Sequence, residues 1–392
     1  MNLALSDEQV FLREAARGAL SRFKTLEAAR EALDGDAGAL PDLWPTAREA
    51  GWPGLLIGEA HGGAGLDAFD AMLVLGECGR VLAGIPLLGH LPATAILDDA
   101  PNAAALLEAL ATGERRAAYL PVSPPEDLQR DWSADPPGGA QRAPAPTATG
   151  DGGQARVSGQ LSFVPDAPGA DLLVGVALLD GAPGGTPPLG AQAGKPVGVA
   201  IEAGAEGVSV QEVRRYDVTR PLGHVSLKDA PATVLDAPVE SLAGAWHLAQ
   251  ALIAAESLGS VETALDVSVA YAKERHTFGR AIGSYQAVKH SLTEVLRQLE
   301  NGRSLLYYAG WARSGAPGEF SLAASAARSV GGRALDEAAR TMISVHGGIG
   351  ATWEHDAPLY FRRAQLSRRL LGGTGRATDR VAGELLAQAD AG

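Results

Sequence analysis

Two segments of this 392-residue chain set glycine amides beside cationic and aromatic side chains. The first is Tyr271-Ala272-Lys273-Glu274-Arg275-His276-Thr277-Phe278-Gly279-Arg280-Ala281-Ile282-Gly283-Ser284-Tyr285-Gln286, and the second is Val345-His346-Gly347-Gly348-Ile349-Gly350. Open backbone N–H groups next to a guanidinium suit a diphosphate, and the neighbouring rings suit a flat heterocycle. Composition alone favours a blander reading, two interhelical turns with solvated charges, because glycine is the ordinary punctuation between helices.

Other chemistries find little footing. There is no GxSxG elbow, CxxC pair, HExxH helix or Walker loop. The eight histidines are scattered, and only His346 stands in a glycine-flanked loop, so no ligand cluster for a metal emerges. The single cysteine, Cys78, lies in Leu73-Val74-Leu75-Gly76-Glu77-Cys78-Gly79-Arg80 with no histidine nearby to activate it. It reads as a small buried core residue rather than a nucleophile.

The elements that must position the two glycine segments fall into three blocks. Residues 6–30 and 40–112 read as helices punctuated by glycine turns, with Met72, Leu75 and Leu82 at helical spacing. From about Ala117 to Ala237 short β-rich runs follow, such as Ala155-Arg156-Val157-Ser158-Gly159 and Asp171-Leu172-Leu173-Val174-Gly175-Val176. Within them, residues 121–153 and 180–196 are rich in Pro, Gly and Ala and read as long loops. From Leu242 onward four long helical stretches break near Gly279–Gly283, Ser314–Gly318, Gly347–Gly350 and Gly372–Gly375. The first of them, 243–272, is nearly uncharged until Glu256, which predicts burial on more than one side. The expectation is an α+β multidomain chain: an N-terminal helical domain over 1–115, a middle antiparallel β-domain over 116–238, and a C-terminal four-helix bundle over 239–392.

Composition limits partners. A net charge of −13 argues against nucleic acid and anionic membranes. No apolar run approaches the roughly 20 residues a membrane helix needs. The opening Leu5-Ser6-Asp7-Glu8-Gln9-Val10 reads as a capped helix start rather than a leader, and with one cysteine it places the chain in a reducing cytoplasm.

The pattern YAxxRxxFGxxIxxxQ followed some sixty residues later by HGGxG resembles the acyl-CoA dehydrogenase family. The likeness extends over essentially the whole chain. Leu43-Trp44 through Gly51-Trp52-Pro53-Gly54-Leu55, and Glu59-Ala60-His61-Gly62-Gly63-Ala64-Gly65-Leu66, resemble its N-terminal helical domain. Val157-Ser158-Gly159, Asp171-Leu172-Leu173-Val174 and Asp217-Val218-Thr219-Arg220 resemble its β-domain. The resemblance implies FAD held between subunits, an acyl-CoA thioester substrate, a dimer or dimer of dimers, and an electron-transfer flavoprotein as acceptor. It implies that Arg275, Phe278 and Gln286 contact the adenine and pyrophosphate half of a FAD shared with the neighbouring subunit. Val345, His346, Gly347 and Gly348 would form a second cofactor-facing turn.

Family chemistry needs one carboxylate to take the α-proton while the β-hydrogen leaves as hydride. In most members it precedes the last helix in a Tyr-Glu-Gly-Thr context, a position that falls here on Gly372. In a minority it comes from the first helix of the C-terminal domain, where this chain has Ala249 followed by Gln250. Glu256, about two turns further along, reads as structural. In the β-domain the family's Thr-Glu-Pro loop is replaced by Leu120-Pro121-Val122-Ser123-Pro124-Pro125-Glu126, and its Trp-Ile-Thr by Phe163-Val164-Pro165. Pro165 lacks both the hydroxyl and the N–H with which to hydrogen-bond a flavin.

The cross-subunit positions are thus kept and the chain's own site is not. The expectation is a base-lacking subunit that completes the FAD site of a heteromeric enzyme with a second acyl-CoA dehydrogenase-like chain, of the bacterial kind that acts on steroid side chains. A homomeric flavoenzyme with a relocated base and a non-catalytic scaffold stay open as alternatives.

Overall fold

The computed structural model describes residues 4–33, 35, 37–122, 145–151, 153–179 and 194–391. Six helices come first: α1 (Asp7–Leu20), α2 (Thr25–Leu33), α3 (Trp44–Glu49), α4 (Ala68–Arg80), α5 (Leu87–Asp98) and α6 (Ala104–Ala111). The helical stretch expected over 6–30 is two helices, parted at residues 21–24. There the Ser21 hydroxyl turns back to the Gly18 carbonyl at 2.8 Å, competing with helix continuation. The start is as the sequence implies, with Ser6 and Gln9 forming a reciprocal capping box.

Seven strands follow: β1 (Ala117–Leu120), β2 (Thr147–Asp151), β3 (Gln154–Pro165), β4 (Leu172–Leu179), β5 (Lys195–Glu202), β6 (Val208–Glu212) and β7 (Leu222–Leu235). Their pairings run β4–β2–β3–β7–β5 and return to β4, with β1 added on β4 and β6 on β7. The sheet is mostly antiparallel, but β1 and β2 both run parallel to β4. The loop expectation for 121–153 is corrected in part, since Thr147–Asp151 pair with β3 and Thr147 and Ala148 also with β4. Backbone bonding there needs no large side chain. Residues 123–144 and most of the second expected loop lie outside the described residues.

The C-terminal block contains α7 (Val239–Glu274), a small hairpin of β8 (His276–Thr277) and β9 (Arg280–Ala281), then α8 (Gln286–Gly315), α9 (Phe320–His346), α10 (Ala357–Ser367) and α11 (Gly373–Ala391). Helix α7 runs through the middle of the protein and is buried continuously from Ala245 to Val261, as its scarcity of charge predicts. It touches α4 backbone to backbone. A Cβ on Gly79 would lie 1.9 Å from the Glu256 carbonyl oxygen, and one on Gly259 equally close to that of Gly76. Only glycine permits that approach, and it fixes the N-terminal helices against the bundle.

Candidate functional site

At one end of the bundle the two glycine segments meet. Helix α7 stops at Arg275, whose N–H still donates to the Tyr271 carbonyl at 2.8 Å. The chain then reverses through Phe278 and Gly279, both left-handed at φ 51° and 80°, the conformation a two-residue hairpin turn demands. Phe278 is 98% exposed. The Tyr285 hydroxyl anchors the hairpin by donating to the Thr277 carbonyl at 3.1 Å, Arg280 lies over the Tyr285 ring, and Gln286 opens α8 at the surface. The ring of Tyr271 stacks on His346 with centroids 4.4 Å apart, which joins the end of α7 to the end of α9. The side chain of His346 points inward, bonded through Nδ1 to the Met342 carbonyl and packed against His355. The turn therefore offers backbone rather than imidazole: a Cβ on Gly347 or Gly348 would meet nothing within 4 Å. Val345 is partly buried beneath it.

The two family positions for a base also lie together, elsewhere. Ala249 is fully buried in α7, and the amide of its neighbour Gln250 donates to the Leu371 carbonyl at 2.8 Å. Leu371, Gly372 and Gly373 are left-handed in succession, with φ of 52°, 79° and 77°. A Cβ on Gly372 would meet Arg376 Cδ at 2.8 Å and the Trp246 ring at 3.4 Å. Trp246, Gln250, Arg376 and Arg380 border a cavity of about 200 Å³ here. Its carboxylates come from α11: Asp379, and Glu384, which accepts from Ser321 and pairs with Arg380. Ala249 and Arg275 are 26 residues apart in one helix (275 − 249), about 39 Å at 1.5 Å per residue. One chain therefore cannot bring both groups to one active site.

Glu256 is bound into a buried ion network. Arg363 donates to Asp217 at 2.6 Å through Nε, to Glu256 at 2.6 Å through Nη1 and to Thr219 at 2.5 Å through Nη2. Arg220 pairs with the other oxygen of Glu256. Burial alone would raise the Asp217 carboxyl, but Arg363 and Arg220 outweigh it and hold it below the usual range. Arg363 is held up by Asp217 and Glu256 against the opposite pull of burial. The network joins the β6–β7 connection, α7 and α10, and sequence reasoning missed it. Its one local signal was the Asp-Val-Thr-Arg run at 217–220. Cys78 lies beside it, fully buried, with burial first and Glu256 second pushing its thiol well up. That excludes a reactive thiolate at neutral pH.

In the β-domain, Phe163 and Asp166 flank Pro165 with φ of 53° and 62°. The Phe163 ring packs edge-on to His224 and beneath Arg215. The Asp166 carboxylate accepts from the Gly89 N–H at 2.7 Å, and burial pushes it up to about 7. Of the loop at 120–126, residues from Ser123 lie outside the described residues. No group of three or more potential metal ligands occurs among the described residues, and none of the helices is long and apolar enough to cross a membrane.

These residues fit a flavin dinucleotide unevenly. The bundle tip, with an exposed phenyl ring, Arg275 and open glycine amides, suits a diphosphate and a flat ring brought by another molecule. In the chain's own β-domain Pro165 has neither N–H nor hydroxyl to offer a flavin.

Comparison with known proteins agrees with this architecture. The acyl-CoA dehydrogenase N-terminal domain model matches residues 6–122 and the C-terminal domain model residues 243–386. The chain is 33% identical over 390 residues to acyl-CoA dehydrogenase FadE34 of Mycobacterium tuberculosis, covering 97% of itself and 48% of that protein, about half its length. It is 30% identical over 368 residues to acyl-CoA dehydrogenase IpdE2 of the same organism, covering 93% of each. Among solved structures, a variant of the Tcur3481–Tcur3483 steroid ACAD superposes with a TM-score of 0.83 at 26% identity, covering 98% of this chain and 99% of that one. Both terminal domains and a relative matched along nearly its full length place this chain in the acyl-CoA dehydrogenase family of FAD-dependent oxidoreductases.

Proposed function

We propose that this chain is the base-lacking subunit of a heteromeric acyl-CoA dehydrogenase, completing a FAD site whose catalytic carboxylate belongs to a second, similar chain. The observation that carries the reading is the separation along α7. At one end Ala249 and Gly372 leave no carboxylate at either family position, with Arg376 in the space a side chain on Gly372 would enter. About 39 Å away, Arg275, Phe278, Gln286 and the Val345–Gly348 turn stand at the surface, apart from the inward His346 ring. When bound, the flavin would supply the hydride acceptor for α,β-desaturation of an acyl-CoA. In this reading Arg275 and the amides of Gly347 and Gly348 neutralise the diphosphate, and Phe278 and Gln286 border the adenine. The α-proton goes to the partner's carboxylate. FadE34, about twice as long as this chain, and a steroid ACAD whose name joins Tcur3481 and Tcur3483 support a paired arrangement, and the second supports a steroid-type acyl group. Electrons would leave to an electron-transfer flavoprotein in the cytoplasm. Residues 1–115, 116–238 and 239–392 would act as the three structural units.

The test is co-expression with a second acyl-CoA dehydrogenase-like chain of the same organism that carries the family glutamate, followed by visible flavin spectra and native mass. Flavin confined to the mixed complex is the expected result. A lone chain that is yellow, and is bleached by an acyl-CoA, sinks the proposal.

A further inference from the structure

A second cavity lies away from both groups of family residues, where the N-terminal helices meet the β-domain. It measures about 280 Å³, close to the lower end of small-molecule sites at roughly 300 Å³. Its two walls differ in chemistry. Leu40, Pro41, Leu43 and Leu82 make one apolar wall; the other is the β6–β7 connection, with Arg214 and Arg215 at the mouth and Arg220 at the floor.

Arg220 is 7% exposed and commits Nη2 to Glu256, while its buried Nε–H has no hydrogen-bond partner. A buried donor left unmet costs about 1–3 kcal/mol, and the arginine that carries it borders this cavity opposite an apolar wall. The carboxylates do not cancel the cations at the mouth. Asp217 is already held by Arg363, and Glu212 is exposed at the rim. Arg215 lies over the Phe163 and Tyr216 rings, and Arg214 makes no hydrogen bond or ion pair with a described residue.

The geometry points to a binding site for a small amphipathic carboxylate, its acid group on Arg220 with Arg214 and Arg215 at the entrance and its hydrocarbon body against Leu40, Leu43 and Leu82. The pairing of one unmet guanidinium donor with an apolar wall selects this class. A fully polar anion leaves the leucine wall unused, and a neutral hydrocarbon leaves the Arg220 donor unmet. This site stands apart from the FAD reading, and either can fail without the other.

Titrating the full chain with sodium octanoate by calorimetry, with octan-1-ol as the uncharged control, tests it. Saturable binding of one octanoate per chain is expected, at least tenfold tighter than octan-1-ol. Leu40→Trp, which fills the apolar half, and the surface variants Arg214→Gln and Arg215→Gln should each weaken it, the first at least tenfold. Unchanged melting curves keep these variants interpretable. Absence of saturable binding, equal affinity for the alcohol, or octanoate binding that survives Leu40→Trp overturns the site.

Discussion

The buried middle of α7 and its exposed C-terminal end handle charge in opposite ways. Around Glu256 the helix is buried, and the acids there are each met by arginine: Arg363 and Arg220 on Glu256, Arg363 on Asp217. At Arg275 it emerges into solvent beside an exposed Phe278 held at positive φ and glycines with open space in front of them. Paired charges hold parts together and, the Arg220 Nε–H apart, have little left for a ligand. An exposed ring beside a cation and open glycine amides fits the recognition role proposed for the outer end, and the paired charges give the inner one cohesion.

The inner end should show the largest effect. Glu256→Gln or Arg363→Met removes one partner from a buried pair and leaves the other uncompensated, a loss of about 3–5 kcal/mol. Denaturant melts of the lone chain would measure it. A neutral result would mean that the inner charges are not mutually dependent, and the comparison would break there.

Asp166 sharpens the contrast, because it is the buried carboxylate that has a backbone donor but no ion pair. Its folded pKa, pushed up to about 7 by burial, exceeds the ordinary value of 3.8. Below the lower value both states hold the proton and nothing is lost. As pH rises from there toward 7, the unfolded chain releases its proton first, so the folded state loses stability. Between pH 5 and pH 8 the loss is on the order of 3 kcal/mol. Asp166→Asn, which can still accept from Gly89, should remove this slope; a variant with the same pH dependence as the parent would assign the slope to other groups.

At the outer end, Arg275→Ala should lower the flavin content of the assembled complex at least tenfold, about 1.4 kcal/mol, and leave the melting curve of the lone chain unchanged. Flavin content measured against melting temperature separates the roles. If both fall together, Arg275 supports the fold and recognition lies elsewhere.

The three-block texture was legible because it is local. Helical periodicity, short β-rich runs and glycine breaks are each set within a few residues. The same locality explains the misses. Closure of the sheet depends on β4 meeting β2 and β5 across long intervals, and β2 lies in a stretch whose small residues look like loop. The four expected C-terminal helices are five, although the break expected near Gly372–Gly375 does fall between α10 and α11, where Leu371, Gly372 and Gly373 are left-handed. The tip residues carried a sequence signal through their spacing. The ion network carried only the local run at 217–220, since Asp217 and Arg363 are 146 positions apart and no pattern links them.

The smallest expected effect lies at Gly372, where the inner end can be asked whether it lacks only a carboxylate. A glutamate there would adopt φ near 79°, at a cost of about 1 kcal/mol or somewhat more. Its Cβ would press on Arg376 Cδ, which can swing aside, and rest against Trp246. The carboxylate would then sit beside the Arg376 guanidinium, which favours an ion pair over a free base. Pro165 would still offer a flavin no donor. Gly372→Glu should therefore give a folded chain, slightly less stable, with no acyl-CoA oxidation of its own. Turnover by that lone variant would show that the inner end is a dormant but complete site, and the division of labour along α7 would have to be abandoned.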